Sequence, residues 1–337
     1  MKIYNVMNRE RIGNLIRKNE LINRIITSFR LKREMKYHVS RFIRNTGAIG
    51  MKESESKFSA DLRVRVHALE KGLSLPNPHV GFGEKKVAEV LDRVEYLENH
   101  FRNEDFLSEI SVILNKYFEF QKIHGHVNEE LLAKYQRLFE GVSDNGYQGG
   151  TKSISREELL KATSFEFKKF AESRYAIRDF SDEPVSEEIL RRALEIAEKS
   201  PSACNRQPWR VYIYKGNKKN RILEWQGGCK GFSECIDTAI LIACNIESYF
   251  ISEMNLPYVD GGLYAMNLMY ALHSLGIGTI PLTCALMARN FNALYRDFDI
   301  KDNEVPVLLI GVGNLKDKFE VAVSNRYSYK NYAYFIN

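Results

Sequence analysis

The sequence predicts an α/β layered domain preceded by an all-helical region. Three observations predict it. Apolar residues up to about position 139 recur at helical spacing. Beyond position 153, helix patterns alternate with short strand patterns. Two of those strand patterns, TAILIAC (Thr238–Cys244) and VPVLLIGVG (Val305–Gly313), are apolar without interruption, as in strands covered on both faces.

The helical region begins with Ile12, Leu15, Ile16, Ile22, Ile25, Ile26 and Phe29, set among Arg and Lys. A second stripe is Val87, Val90, Leu91, Val94 and Leu97, and a third is Ile110, Ile113, Leu114, Tyr117 and Phe118. The Pro- and Gly-rich HALEKGLSLPNPHVGFGEKK between the first two reads as an ordered loop. Asn128 is placed to cap a helix carrying Leu131, Leu132, Tyr135, Leu138 and Phe139, closed by Gly141. The turn-rich GVSDNGYQGGTKS (Gly141–Ser153) is the expected boundary, dividing the chain into 1–150 and 151–337. Ser155 and Glu158 then form a capping-box pattern. Ser186 caps a helix through Leu190, Leu194 and Ala197, with Val185 stapled onto Leu190. Trp209, Val211 and Ile213 alternate with Arg210, Tyr212 and Tyr214 as in a half-buried strand. Leu263–Leu275 is a helix apolar nearly all round, suited to a large core or a subunit interface.

No apolar run reaches the length of a membrane span, and the first residues lack the apolar core of a signal peptide. Five cysteines without a CxxC fit reduced thiols, so a cytoplasmic protein is expected. Residues 1–60 carry 14 Lys/Arg against 5 Asp/Glu, a surplus larger than the whole-chain net of +6, so the rest is mildly acidic. That basic amphipathic start suits a docked helix or dimer arm, and a membrane surface is the less favoured reading. It lacks the interleaved aromatics of single-strand nucleic-acid binders.

The chain has no HExxH, GxSxG or GxxxxGK[ST] pattern. His124 and His126 have no partners at metal spacing, so no metal site is expected. Gly311 and Gly313 follow a strand, but Lys316 stands where a dinucleotide fingerprint needs its third glycine. What remains is polar chemistry at element ends. In SRYAIRDF (Ser173–Phe180), Arg174 and Arg178 would share one face of a helix end. They suit a phosphate, although spacing alone favours a solvated basic terminus. Arg326 in SNRYSYKNY is open to the same two readings. In SPSACNRQPW (Ser200–Trp209), the prolines are accounted for by a helix stop and an extended entry to a strand. Ser202, Asn205 and Gln207 are not; their donors and acceptors suit the polar edge of a flat heterocycle.

Taken in order, SRYAIRDF, SPSACNRQPW, DGGLYAMNLMYALHSLGIGTIPL, VPVLLIGVGNL and SNRY resemble the nitroreductase family of FMN-dependent oxidoreductases, over roughly Glu166–Tyr334. The resemblance implies an α+β sandwich with a mostly antiparallel central sheet flanked by helices, here with an added N-terminal all-α extension. It implies a homodimer with FMN at the subunit interface. Arg174, Tyr175, Ala176 and Arg178 would then meet the FMN phosphate and ribityl chain, with Ala176 in place of the usual hydroxyl residue. Pro201, Ser202, Ala203, Asn205 and Gln207 would line the flavin from the partner subunit. Pro281, Leu282 and Thr283 would sit over it, and Arg326 would reach the phosphate. NAD(P)H is the implied co-substrate. It would pass hydride to flavin N5 in a ping-pong cycle ending on a small-molecule acceptor: a nitro compound, quinone, enone or biosynthetic intermediate. No side chain is nominated as acid or base. Thr283 and Cys284 depart from the acidic residue and Gly that some members carry there. Ring synthase, dehalogenase or dehydrogenase chemistry on the same fold, or a non-catalytic flavin-binding module, are the alternatives. HALEKGLS and GFG resemble an extension of longer members, where His67, Glu70 and Lys71 either restrict the cavity or pack the extension in place.

Overall fold

The computed structural model describes residues 20–336, except 76, 102, 144–145, 148, 152, 154, 156, 158–159, 161–164, 323–325 and 327. Ile12, Leu15, Ile16 and Glu158 therefore lie outside the described residues, as do the neighbours of Arg326.

Helix α1 spans Glu20–Asn45. Its apolar stripe does not dock on the body: Leu21, Ile22, Ile25 and Phe29 are exposed. Contact begins one turn later. The Ala288 N–H donates to the Glu34 carboxylate at 2.7 Å, Tyr37 stacks on Phe291, and the Arg41 guanidinium donates to the Tyr295 hydroxyl. At 100° per residue, Glu34, Tyr37 and Arg41 lie on the side of α1 opposite Leu21, Ile25 and Phe29. Phe42 is buried against Cys244, Ile246 and Tyr249.

Helices α2 (Glu55–Leu73), α3 (Glu84–His100), α4 (Glu104–Ile123) and α5 (Glu129–Leu138) enclose one core. Phe58, Leu62 and Leu69 meet the fully buried stripe Val87–Leu97 and Ile110, Leu114 and Tyr117. Asn128 caps α5 by accepting the Leu131 N–H at 3.2 Å. The expected loop after the first helix is shorter than the sequence suggested. His67–Leu73 continues α2, because Val66 and Leu69 extend the buried stripe of Phe58 and Leu62. Gly72 is tolerated inside α2 because the Phe82 ring fills its place; a Cβ there would lie 2.3 Å from that ring.

Downstream come α6 (Phe167–Glu172), α7 (Glu187–Ala197), β1 (Trp209–Tyr214), α8 (Gly216–Gln226), β2 (Thr238–Asn245), α9 (Leu256–Ser274), β3 (Ile277–Thr283), α10 (Ala288–Asp297) and β4 (Glu304–Asn314). The strands form one sheet in the order β1-β2-β4-β3, every neighbouring pair antiparallel. The architecture is thus α+β. Every β2 residue is buried, since α7 and α9 cover one face and α8 and α10 the other. Ser186 caps α7 by accepting the Ile189 N–H at 3.2 Å, and Val185 shares its cluster with Leu190.

Strand β1 differs from the simple alternation. Trp209 and Val211 pack toward α7 and α9, whereas Tyr212 and Tyr214 pack toward α8 and α10 and Ile213 is exposed. Both faces accept side chains because the tyrosine tips find partners. Tyr214 donates to the Phe298 carbonyl at 2.9 Å, and Tyr212 to the Glu304 carboxylate. Among the described residues no helix is long and apolar enough to cross a membrane.

Candidate functional site

Arg174 and Arg178 are not on a helix end. Helix α6 stops at Glu172, and the chain then runs extended along the open edge of β3. Ala176 bridges Thr279 in parallel, the Ile177 N–H donates to the Thr279 carbonyl at 3.0 Å, and Phe180 bridges Leu315. Pairing with the sheet satisfies backbone groups that a longer helix would have satisfied internally. Side chains four apart on an extended segment still share a side, but stand about 13 Å apart rather than one helical turn. Arg178 lies 6.0 Å from the Phe232 ring. Arg174 faces the end of α9, where Ser173 Oγ and His273 Nε2 share a hydrogen bond of 2.7 Å. Burial first, with the Arg174 charge adding to it, holds the His273 imidazole below its ordinary value. Arg174 Nη1 is itself buried and has no hydrogen-bond partner among the described residues. An unmatched guanidinium N–H is costly, and an anion would satisfy it.

Tyr175 is exposed and Ala176 half-buried in its bridge to Thr279. Further along β3, Pro281 and Thr283 are exposed while Leu282 is buried between them. The period of two thus puts Leu282 in the core under α10, and leaves Pro281 and Thr283 on the open side. Cys284 is also core, and burial pushes its thiol up to about 12. Arg326 is exposed.

The Ser200–Trp209 loop lies at the other edge of the sheet, leading into β1. It is strained: Cys204, Asn205 and Gln207 have φ of 50°, 51° and 49°, three of the four non-glycine residues with positive φ among those described. Such strain persists only where the surroundings over-determine it. Here Ser202 Oγ accepts the Gln207 N–H at 2.9 Å, and the Ala203 N–H donates to Asp260 at 3.2 Å. Arg206 supplies the main clamp. Its side chain is wholly buried and donates to both oxygens of Glu253 at 2.7 and 2.9 Å. Its guanidinium also lies 5.3 Å from the Tyr249 and Phe250 rings. Burial alone would raise the Glu253 pKa, but the Arg206 hydrogen bonds, the Phe250 N–H and the Arg206 charge hold it below the usual carboxylate range. Asp260 shifts the other way: burial raises it despite the Tyr249 hydroxyl and the Ala203 amide. With Arg206 carrying the structure, the Asn205 and Gln207 amides are left over. Gln207 Nε2 makes a single long contact of 3.5 Å to the Asn205 carbonyl.

Arg206, Glu253 and Asp260 were not anticipated. The available signal was an Asp inside the nearly all-apolar α9, since a carboxylate there needs buried donors. His67 and Glu70 interact with each other at 3.3 Å, and Glu70 also accepts the Gly150 N–H. Both flank Cys204 and Asn205 in a narrow crevice, while Lys71 lines a separate cavity between α2 and α3. His126 is paired with Glu84 at 2.8 Å.

The structure therefore gathers the candidates into two groups. Arg174–Arg178 and Pro281–Thr283 share the β3 edge. Pro201–Gln207 occupies the β1 edge. Three inter-strand steps separate the edges, about 14 Å across the sheet, so one copy of the chain does not bring the two groups face to face.

Residues 171–229 match the profile of the Nitroreductase family, a span holding both the Arg174–Arg178 segment and the Pro201–Gln207 loop. The chain is 21% identical over 165 residues to a putative NADH dehydrogenase/NAD(P)H nitroreductase of Methanothermobacter thermautotrophicus, covering 48% of this chain and 78% of that protein. Among solved structures it is similar to a nitroreductase family protein from Streptococcus pneumoniae (TM-score 0.44, 22% identity, 51% of this chain and 100% of the other). It is also similar to an FMN-dependent nitroreductase from Clostridium difficile (TM-score 0.43, 19% identity, 50% and 98%).

Proposed function

We infer from this chain's membership of the nitroreductase family that it is an FMN-dependent NAD(P)H oxidoreductase. Residues 151–337 form the flavin-binding domain in this reading and residues 1–150 its helical extension. The observation that carries it is that a single family match spans both polar segments, one of which holds a buried guanidinium nitrogen with no partner among the described residues.

The donor set fits the cofactor. Arg174 and Arg178 would hold the phosphate, with Arg326 as a third cation, because guanidiniums meet phosphate oxygens with paired N–H donors. Asn205 and Gln207 would read the heterocycle's edge, where each amide offers a donor and an acceptor. Pro201, Ser202 and Ala203 would pack beside it, as would Pro281 and Thr283, with Leu282 supporting them from the core. Bound FMN would supply the redox chemistry, taking hydride from NAD(P)H and passing electrons to a small-molecule acceptor. The chain's own part is to bind, orient and exclude water. The clamp of Arg206 by Glu253, with Asp260 accepting the Ala203 N–H, holds the loop in its strained shape before any ligand arrives, which lowers the ordering cost of binding.

A homodimer with the cofactor between subunits is part of this proposal. It is supported by the placement of the two groups at opposite sheet edges and by the exposed Tyr258, Val259 and Leu263 on α9. A cytoplasmic setting is supported by five free cysteines. The test is direct. The purified protein should be yellow, bleach under nitrogen with NADH or NADPH, and regain colour with a quinone. A protein that stays colourless after incubation with FMN sinks the reading.

A further inference from the structure

We propose that the cavity between the helical extension and the Asn205–Arg210 segment is the acceptor site, and that it selects hydrophilic acceptors bearing an anionic group. The proposal rests on the flavin reading above and adds the substrate class. The cavity measures about 790 Å³ and has three walls: one face of α2, the first turns of α4, and the strained loop with the start of β1. That volume suits a ligand of two or three rings.

Its chemistry is polar. Ala60, Phe106 and Tyr147 are its apolar contributors; the rest of the wall is charges, amides and hydroxyls. Its three carboxylates all have partners. Glu55 accepts from Asn103 Nδ2 at 2.6 Å, and Glu109 pairs with Arg63 Nη1 at 2.6 Å. The third, Asp105, sits in the first turn of α4, where the helix N-terminus favours its charge. The cations are less fully used. Arg63 keeps further N–H groups beyond its bond to Glu109, and its guanidinium carbon lies over the Phe106 ring at 4.5 Å. Arg210 is exposed on β1 and donates to its own neighbour's carbonyl at 2.9 Å. No carboxylate of the described residues lies within ion-pair distance of it. The surplus donors, Arg210 and Arg63, line the same cavity as Asn205 and Gln207. An anionic group would meet the guanidiniums while the reducible ring points toward the flavin whose rim the loop reads. A plain hydrocarbon-rich acceptor would strip water from these groups and return nothing.

The test uses a matched pair of quinones on the full chain reconstituted with FMN: 1,4-naphthoquinone-2-sulfonate and 2-methyl-1,4-naphthoquinone. Each turnover consumes NAD(P)H, one proton and the quinone, and yields NAD(P)+ and the hydroquinone. The sulfonate should have a kcat/KM at least about tenfold higher, as one charge-assisted hydrogen bond implies. Arg210→Gln should erase most of that preference. Equal or better turnover of the neutral quinone overturns the proposal, as does an Arg210→Gln variant that keeps the preference. If the protein takes up no FMN, the oxidoreductase reading fails, and equilibrium dialysis of the sulfonate against the flavin-free chain decides the cavity. Saturable binding weakened about tenfold by Arg210→Gln supports it; no saturable binding, or binding unchanged in the variant, overturns it.

Discussion

Replacing Glu253 by Gln tests whether the loop is held by a buried charge pair. The change keeps size and shape but removes the charge facing Arg206, whose side chain has no exposure of its own. Two bonds of 2.7 and 2.9 Å are affected, and a neutral amide can accept one of them. Breaking a buried pair costs about 3–5 kcal/mol. The Glu253 side chain is 22% exposed, so water partly compensates and the low end, about 3 kcal/mol, is expected. Urea denaturation followed by tryptophan fluorescence is the assay, since both tryptophans, Trp209 and Trp225, lie in the C-terminal layers. FMN affinity should fall at least about tenfold in parallel, because the positive-φ residues on either side of Arg206 lose their restraint. The double variant Arg206→Met/Glu253→Met should be less unstable than the summed single variants, since neither charge is then stranded. A Glu253→Gln protein within about 0.5 kcal/mol of the parent, with flavin affinity intact, would refute the clamp. The pH dependence has a defined sign. The folded Glu253 pKa lies below its unfolded value, so its contribution is present above about pH 4.3 and disappears as pH falls through the folded pKa.

Arg174→Glu should abolish FMN uptake, read by absorbance after gel filtration; stoichiometric flavin in that variant would break the phosphate assignment. Gly47→Ala should destabilise by about 2 kcal/mol in the same urea assay, because its Cβ would stand 2.4 Å from the Glu247 carbonyl oxygen. Native thiol labelling at pH 8 should modify Cys204 and Cys235 well ahead of the other three. Burial holds the Cys244 and Cys284 thiols up near 12, so rapid labelling of either would contradict the packing.

The helical stripes were legible because their chemistry is local: Val87–Leu97 has the period of a helix and needs nothing from the rest of the chain. The caps at Asn128 and Ser186 were equally readable. The continuous runs in β2 and β4 announced strands covered on both faces, but not their antiparallel pairing, which depends on the connections. His67–Leu73 was misread as loop because Gly72 and the following prolines outweighed the buried stripe of Phe58 and Leu62. The arginines of SRYAIRDF were assigned the wrong backbone, because an open strand edge that captures a neighbouring segment is a tertiary event. Arg206 escaped notice for a related reason. Nothing local distinguishes a buried arginine from a solvated one until the residue 47 positions away that neutralises it is in view.

Helix α1 has a consequence for how this chain can be divided. Its second half seals the far layer before the polypeptide departs to build the four-helix bundle, then returns across the linker. Cutting at the linker would not leave the downstream layers intact. It would open the slot of Phe42 over Cys244 and Ile246, strip Tyr295 of its cation, and bare the Phe291 ring that Tyr37 shields. The two portions are stitched rather than strung.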